Sequence, residues 1–180
     1  MLTRLCDPDP FTTSDKLSKG RVAKIMSLAQ SLQARLATQL DSLDLVLADA
    51  NETTLRQRSP SGKWSAHENL AHLVRHHTST MDRLQLILKE NRPTLPSYRA
   101  DSDPEWTATV ALPTAELLRK LRRLRQQFIE MAGRLSSEQL ARVGIHPAFG
   151  ALSVSQWIDF FLIHEAHHLY VIMNRRLGRD

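Results

Sequence analysis

The chain has 180 residues, which suits one domain built round one core. With 42% hydrophobic and 24% charged residues it has the make-up of an ordinary globular protein, which excludes a disordered chain apart from the ends. A formal net charge of +5 leaves a polyanionic partner to be considered, and the single cysteine, Cys6, excludes an internal disulfide and fits a reducing cytoplasm.

Residues 1 to 17 read as an N-terminal extension of a single domain spanning 1 to 180. Acidic residues and prolines stand there where a signal peptide would need an apolar segment. No stretch approaches the roughly 20 apolar residues of a membrane span. The expectation is a soluble, cytoplasmic protein without a membrane attachment. Cys6 falls in this extension and is set aside as a nucleophile.

Val22, Ile25, Ala29, Leu32, Leu36, Leu40, Leu43 and Leu47 recur at spacings of three and four, which predicts a long first helix from about Ser18 to Ala50. Ser59-Pro60-Ser61-Gly62 breaks the chain. Ser65 and Glu68 then form a capping box that starts a second helix running to about Glu90. Asn91 to Pro113 carries four prolines and cannot be helical throughout. A connection that long is what a bundle needs when two successive helices run parallel, so the expected fold is all-α: a four-helix bundle of up-down-down-up topology.

Leu117, Leu121, Leu124, Phe128, Met131 and Leu135 mark a third amphipathic helix. Its basic run, residues 119 to 125, reads as the solvated outer face rather than a nucleic-acid surface, since no reader motif accompanies it. A second capping box, Ser153 and Gln156, opens a fourth helix that stops at Gly178. No segment alternates convincingly as a strand.

The fourth helix carries the chemistry. Trp157, Phe160, Phe161, His164, His168 and Val171 share one sector, so two imidazoles one turn apart interrupt the stripe that should face the interior. Buried histidines need partners, and a divalent metal satisfies both by taking their neutral nitrogens. The competing reading is a hydrogen-bonded pair of core histidines. On the second helix His72 lies opposite the apolar side, on a sector with Ser65, Glu68, Asn69, His76 and Arg83, and taken alone looks exposed. A polar cleft near one end of the bundle, facing helix four, reconciles the two. His77 sits on the apolar stripe and reads as structural.

Trp64-Ser65, His72, His146-Pro147-Ala148-Phe149-Gly150, Leu152-Ser153, Trp157 and His164-Glu165-Ala166-His167-His168, in that order, resemble the DinB-like (DinB/YfiT) superfamily of metal-dependent enzymes. The resemblance covers about residues 18 to 177. It implies a four-helix bundle of this topology, often a homodimer, with a divalent metal held by three side chains. Carried over by position, these are His72, His164 and His168. The same five residues match the His-Glu-x-x-His helix of zinc proteases, with Glu165 as general base, but residues 169 to 180 supply no third ligand and the longer metzincin pattern is absent.

Three imidazoles leave a coordination position open, as catalytic sites do, and suit zinc, nickel or iron(II) alike. The open position serves either hydrolysis by activated water or, as in some members of the resembled superfamily, a low-molecular-weight thiol as co-substrate of a transferase or isomerase. Glu165 and His167 are the candidate catalytic groups beside the ligands, with Glu68, His76 and His146 as further groups able to orient ligands or shuttle protons. The expected partner is a small-molecule substrate. The competing classes are a non-catalytic metal-binding or stress-related bundle and a nucleic-acid binder.

Overall fold

The computed structural model describes residues 28 to 180. The expected N-terminal extension, Cys6 and the first ten positions of the expected first helix lie outside the described residues. Four helical segments make the bundle. The first is α1 (Gln30–Thr38), a 3-10 turn (Gln39–Asp41) and α2 (Ser42–Val46), followed by a short α3 (Glu52–Arg56). The others are α4 (Ala66–Lys89), α6 (Thr114–Gly133) and α8 (Val154–Arg176). Ser65 and Ser153 close the capping boxes expected at the starts of α4 and α8. Gly178 follows α8 at φ +68°, the left-handed backbone that ends a helix cheaply only at glycine or asparagine.

Cross-helix bonds fix the directions. At the start of α4 the His67 ring meets the Thr114 hydroxyl, at the start of α6, at 2.7 Å, so these two helices run parallel. Arg35 reaches Asp159 at 2.6 Å and Gln39 donates to the Leu162 carbonyl at 2.9 Å, so the first helix and α8 also run parallel. Asn69, near the start of α4, contacts His168, late in α8, which makes α4 and α8 antiparallel. The result is up-down-down-up. The connection from α4 to α6 holds a 3-10 turn (Ala100–Ser102) and α5 (Trp106–Ala111), and it folds over the α4–α8 flank.

Three expectations need correction. The first helix is not continuous to Ala50: it tightens at Gln39, whose side chain is drawn in to the Leu162 carbonyl and Glu165, while Leu36, Leu40 and Leu43 stay buried. Apolar spacing is blind to such a break because the stripe survives it. A β-hairpin is present, β1 (Val143–His146) against β2 (Gly150–Ser153), entered through α7 (Ser137–Ala141). Its strands are too short to alternate visibly, and β1 is held by Pro93 and Leu95 of the long connection, which bond to Ile145. Gly144 allows this close approach, since a Cβ there would lie 2.7 Å from the Ile87 side chain. Finally, Arg125 is not on the solvated face of α6 but buried.

Arg125 belongs to a polar layer that divides the core. One apolar cluster gathers Leu84, Ile87, Phe128, Trp157 and Phe161; the other gathers Leu43, Leu70, Leu73, Leu117 and Ile172. Between them meet one residue from each bundle helix: Gln39, His77, Arg125 and Glu165. Gln39 donates to Glu165 at 2.7 Å, Arg125 is ion-paired with Glu165, and a second Arg125 nitrogen donates to the Leu36 carbonyl at 2.9 Å. His77 donates from Nδ1 to the Leu73 carbonyl at 2.8 Å and accepts from Arg125 at Nε2. Its structural reading fits this position.

Candidate metal centre

α4 turns Asn69, His72 and His76 toward α8, which answers with Phe161, His164 and His168. His72, expected to look exposed, is buried: the connection lays Tyr98 against its ring at 5.3 Å between centroids and α5 stacks Trp106 on Trp64, itself 5.4 Å from His72. The site therefore lies along the α4–α8 flank, under the connection, with His164 near the middle of α8.

One ring nitrogen from each of His72, His164 and His168 lies within 4.8 Å of the others. The Nε2 atoms of His72 and His164 are 3.3 Å apart. Two ligands each about 2.1 Å from a tetrahedral ion would be about 3.4 Å apart, so this pair has the spacing that a divalent metal requires. The third imidazole is oriented. His168 Nδ1 donates to Asn69 Oδ1 at 2.8 Å, which puts its hydrogen on Nδ1 and leaves Nε2 as a free lone pair. The Nδ1 atoms of His72 and His164 are buried and make no hydrogen bond.

The rings stay neutral. Burial, reinforced by the His164 charge, lowers the pKa of His72 to about 3. Burial and then His167 and Arg83 bring His164 to about 4. His168 falls to about 2, by burial and the neighbouring His72. Neutral imidazole is the form that binds a metal, and three such rings with no carboxylate between them fit a borderline-soft divalent ion.

The sequence model of the DinB superfamily matches residues 35–172, most of the bundle and all three imidazoles. The chain belongs to the DinB superfamily. Two relatives carry the provisional name of metal-dependent hydrolase. That of Oceanobacillus iheyensis is 23% identical over 137 residues, 75% of this chain and 78% of its own. That of Halalkalibacterium halodurans is 26% identical over 162 residues, 89% of this chain and 86% of its own. YfiT of Bacillus subtilis, a four-helix bundle of unusual topology, superposes with a TM-score of 0.71 at 20% identity, covering 83% of this chain and 87% of its own. At that identity the likeness speaks for the DinB bundle fold alone.

The other expected site residues are spread out. Glu165 is fully buried in the polar layer, bonded to Gln39 and Arg125 and 3.4 Å from His77 Nε2; burial raises its carboxyl above the ordinary value even against Arg125 and Gln39. His167 is exposed, edge-on to His168 at 5.2 Å, at the rim of a cavity of about 340 Å³ shared with Lys63, Trp64 and Arg175. Glu68 is taken up by its capping box and by Arg58. His76 stacks on His164 at 3.9 Å between centroids, buried. His146 sits beyond Phe160, its ring 5.4 Å from that of Trp157. Sequence reasoning noted Asn69 only as a neighbour of His72 and passed over Tyr98 and Trp106. The signal for Asn69 was available, three residues before His72 on the same helical sector, whereas Tyr98 and Trp106 arrive through an irregular segment that carries no periodicity. Among the described residues no helix is long and apolar enough to cross a membrane.

Proposed function

We propose that this DinB protein is a divalent-metal-dependent enzyme of small-molecule hydrolysis, with His72, His164 and His168 as the metal ligands. The observation that carries the reading is the convergence of three neutral imidazoles, two of them 3.3 Å apart, on one point of the flank. Zinc, nickel and iron(II) all suit such a donor set. When bound, the ion supplies Lewis acidity at its open position, to a water for hydrolysis or to a low-molecular-weight thiol for transfer. The provisional names of the two relatives favour the hydrolase.

The residues round the ligands have separable tasks. Asn69 holds the His168 tautomer. The Trp64–Trp106 stack and Tyr98 cover His72, while His164 and His168 stay half-buried. His167, exposed beside His168, is the group placed to exchange protons with solvent. Glu165 serves α8 from inside the core. Ile163, Ala166, Tyr170, Met173 and Leu177, all exposed, follow spacings of three and four along the outer face of α8 and make it the surface on which two copies would pair as a homodimer. The cytoplasm is the compartment that suits a chain with one cysteine.

The deciding experiment is elemental analysis of untagged protein prepared without nickel resin or chelator, alongside His72→Ala, His164→Ala and His168→Ala. The expected result is about one metal per chain, lost in each variant with helical circular dichroism nearly unchanged. Wild-type protein that takes up neither zinc, nickel nor iron(II) overturns the proposal. Metal-loaded protein inert toward ester, amide and thiol-transfer substrates returns the protein to the non-catalytic class.

A further inference from the structure

Next to the imidazoles lies a second group of residues that the metal site leaves unexplained. Arg83 follows His76 by seven residues on α4, two turns and roughly 10 Å along the axis. Helical side chains lean toward the N-terminus, so Arg83 leans back toward the site. It is half-buried, donates to the Pro96 carbonyl at 2.6 Å, and among the described residues pairs with no carboxylate. Its neighbour Arg75 is saturated by the Asp103 carboxylate at 2.7 and 2.9 Å, and Asp103 also accepts from the Tyr98 hydroxyl at 2.8 Å. A half-buried guanidinium without a counter-charge is costly, and burial lowers its pKa.

The charge of Arg83 is felt at the site. Pro96, whose carbonyl Arg83 holds, comes directly after Leu95, which bonds to Ile145 next to His146, and after burial the Arg83 charge helps lower the pKa of His76, His146 and His164. Arg83 lines a cavity of about 440 Å³ with Ser79, Tyr98 and Ser102. Tyr98 forms the wall between that cavity and the ligands, its ring 5.3 Å from His72 and 6.1 Å from His76. Asp82 lines the same cavity, exposed and without an ion pair to Arg83.

His146 adds a donor of known sense. Its Nδ1 accepts from the backbone N–H groups of Ala148 at 3.1 Å and Phe149 at 3.2 Å, at the turn of the hairpin. That acceptor role fixes the hydrogen on Nε2. Among the described residues this Nε2–H makes no hydrogen bond. The ring is held by Trp157 and Phe160, and Phe160 in turn faces His164 at 6.5 Å.

We propose that Arg83 and His146 form an anion subsite beside the metal centre, selecting small-molecule substrates that carry an oxyanion, a carboxylate or a phosphate, at one end. A guanidinium with free nitrogens and a neutral imidazole N–H both suit an oxyanion, and neither competes for the metal. The subsite deepens the function proposed above and rests on it for the meaning of the anion as part of a substrate.

The test separates the two. Inorganic phosphate is titrated into metal-free protein at constant ionic strength and followed by calorimetry, and the metal content of each variant is measured in parallel. Arg83→Gln should weaken phosphate binding roughly tenfold or more, the scale of a lost charged hydrogen bond. Arg83→Lys should restore part of it while sparing the Pro96 contact. His146→Asn should weaken binding a few-fold, because asparagine keeps an acceptor for Ala148 and Phe149 but loses the Nε2–H. All three variants should fold and load metal as wild type does. Phosphate binding that is equal in wild type, Arg83→Gln and His146→Asn, or absent from a wild type that loads metal, overturns the subsite. Phosphate binding that depends on Arg83 in a protein unable to load metal sustains the subsite and removes the metal-dependent function instead.

Discussion

Glu165→Gln asks whether the glutamate of the His-Glu-x-x-His run serves chemistry or the core. The carboxylate is fully buried, ion-paired with an Arg125 that is only 5% exposed, and hydrogen-bonded to Gln39. Glutamine preserves the shape and one acceptor but removes the counter-charge, leaving Arg125 with the Leu36 carbonyl and His77 Nε2. Breaking a buried pair from one side costs about 3–5 kcal/mol, and the retained acceptor puts this variant near the lower figure. For a domain of this size about 3 kcal/mol lowers Tm by roughly 6–12 °C. Calorimetric melts of metal-free wild type and variant read the change without the contribution of a bound ion. In the folded variant at 25 °C, metal content should remain that of wild type. A variant that melts with wild type yet loses metal or turnover would refute the argument and make Glu165 part of the site's chemistry.

Asn69→Ala removes the acceptor that fixes the His168 tautomer, and metal affinity should fall about 10–100-fold, read by competition with a chromophoric chelator; an unchanged affinity would mean that packing alone orients the ring. Acid should release the metal, but late. The three imidazoles have folded-state pKa values of about 3, 4 and 2, below the ordinary 6.5, so protons are bound by the unfolded chain before the folded one. Their neutrality therefore stabilises the fold above about pH 6.5, and that contribution fades as pH drops toward 4 and 3. Metal content followed through a pH titration should hold through pH 6, and a release midpoint at 6.5 or above would contradict the burial argument.

The parts of this structure that rest on periodicity were legible in the sequence, and those that rest on tertiary pairing were not. Capping boxes at Ser65 and Ser153 placed two helix starts, and the proline-rich connection implied the parallel pair α4 and α6. The hairpin was missed because its four-residue strands are defined by their partners, Pro93 and Leu95 among them, rather than by alternation. The spacing of His164 and His168 advertised a site. The burial of His72 was hidden, since Tyr98, and the Trp106 that holds Trp64 beside it, come from a segment without a pattern. Arg125 shows the limit most plainly: inside a run of five basic residues nothing marks the one that turns inward to meet Glu165.

The metal-site residues and the polar-layer residues sit one position apart on α4 and α8, the two helices that carry both. On α4, His76 faces the site and His77 the core layer; on α8, His164 faces the site and Glu165 the same layer. Sliding α4 against α8 by one turn would break the layer, so the layer holds the register that brings Nε2 of His72 within 3.3 Å of Nε2 of His164. Buried ion pairs often add little net stability but can specify an arrangement, and the two effects part in a protein carrying both Arg125→Leu and Glu165→Leu. The double variant should regain most of the stability lost in either single variant, as an apolar pair of similar volume replaces a paired charge. Metal affinity should nonetheless fall in it, because, the ligand pair itself apart, only the Asn69–His168 hydrogen bond is then left among the described residues as a polar tie between α4 and α8. Equal metal affinity in the double variant and wild type would show that packing of Phe161, Phe128 and Trp157 is sufficient to align the ligands, and that the polar layer has no part in the site.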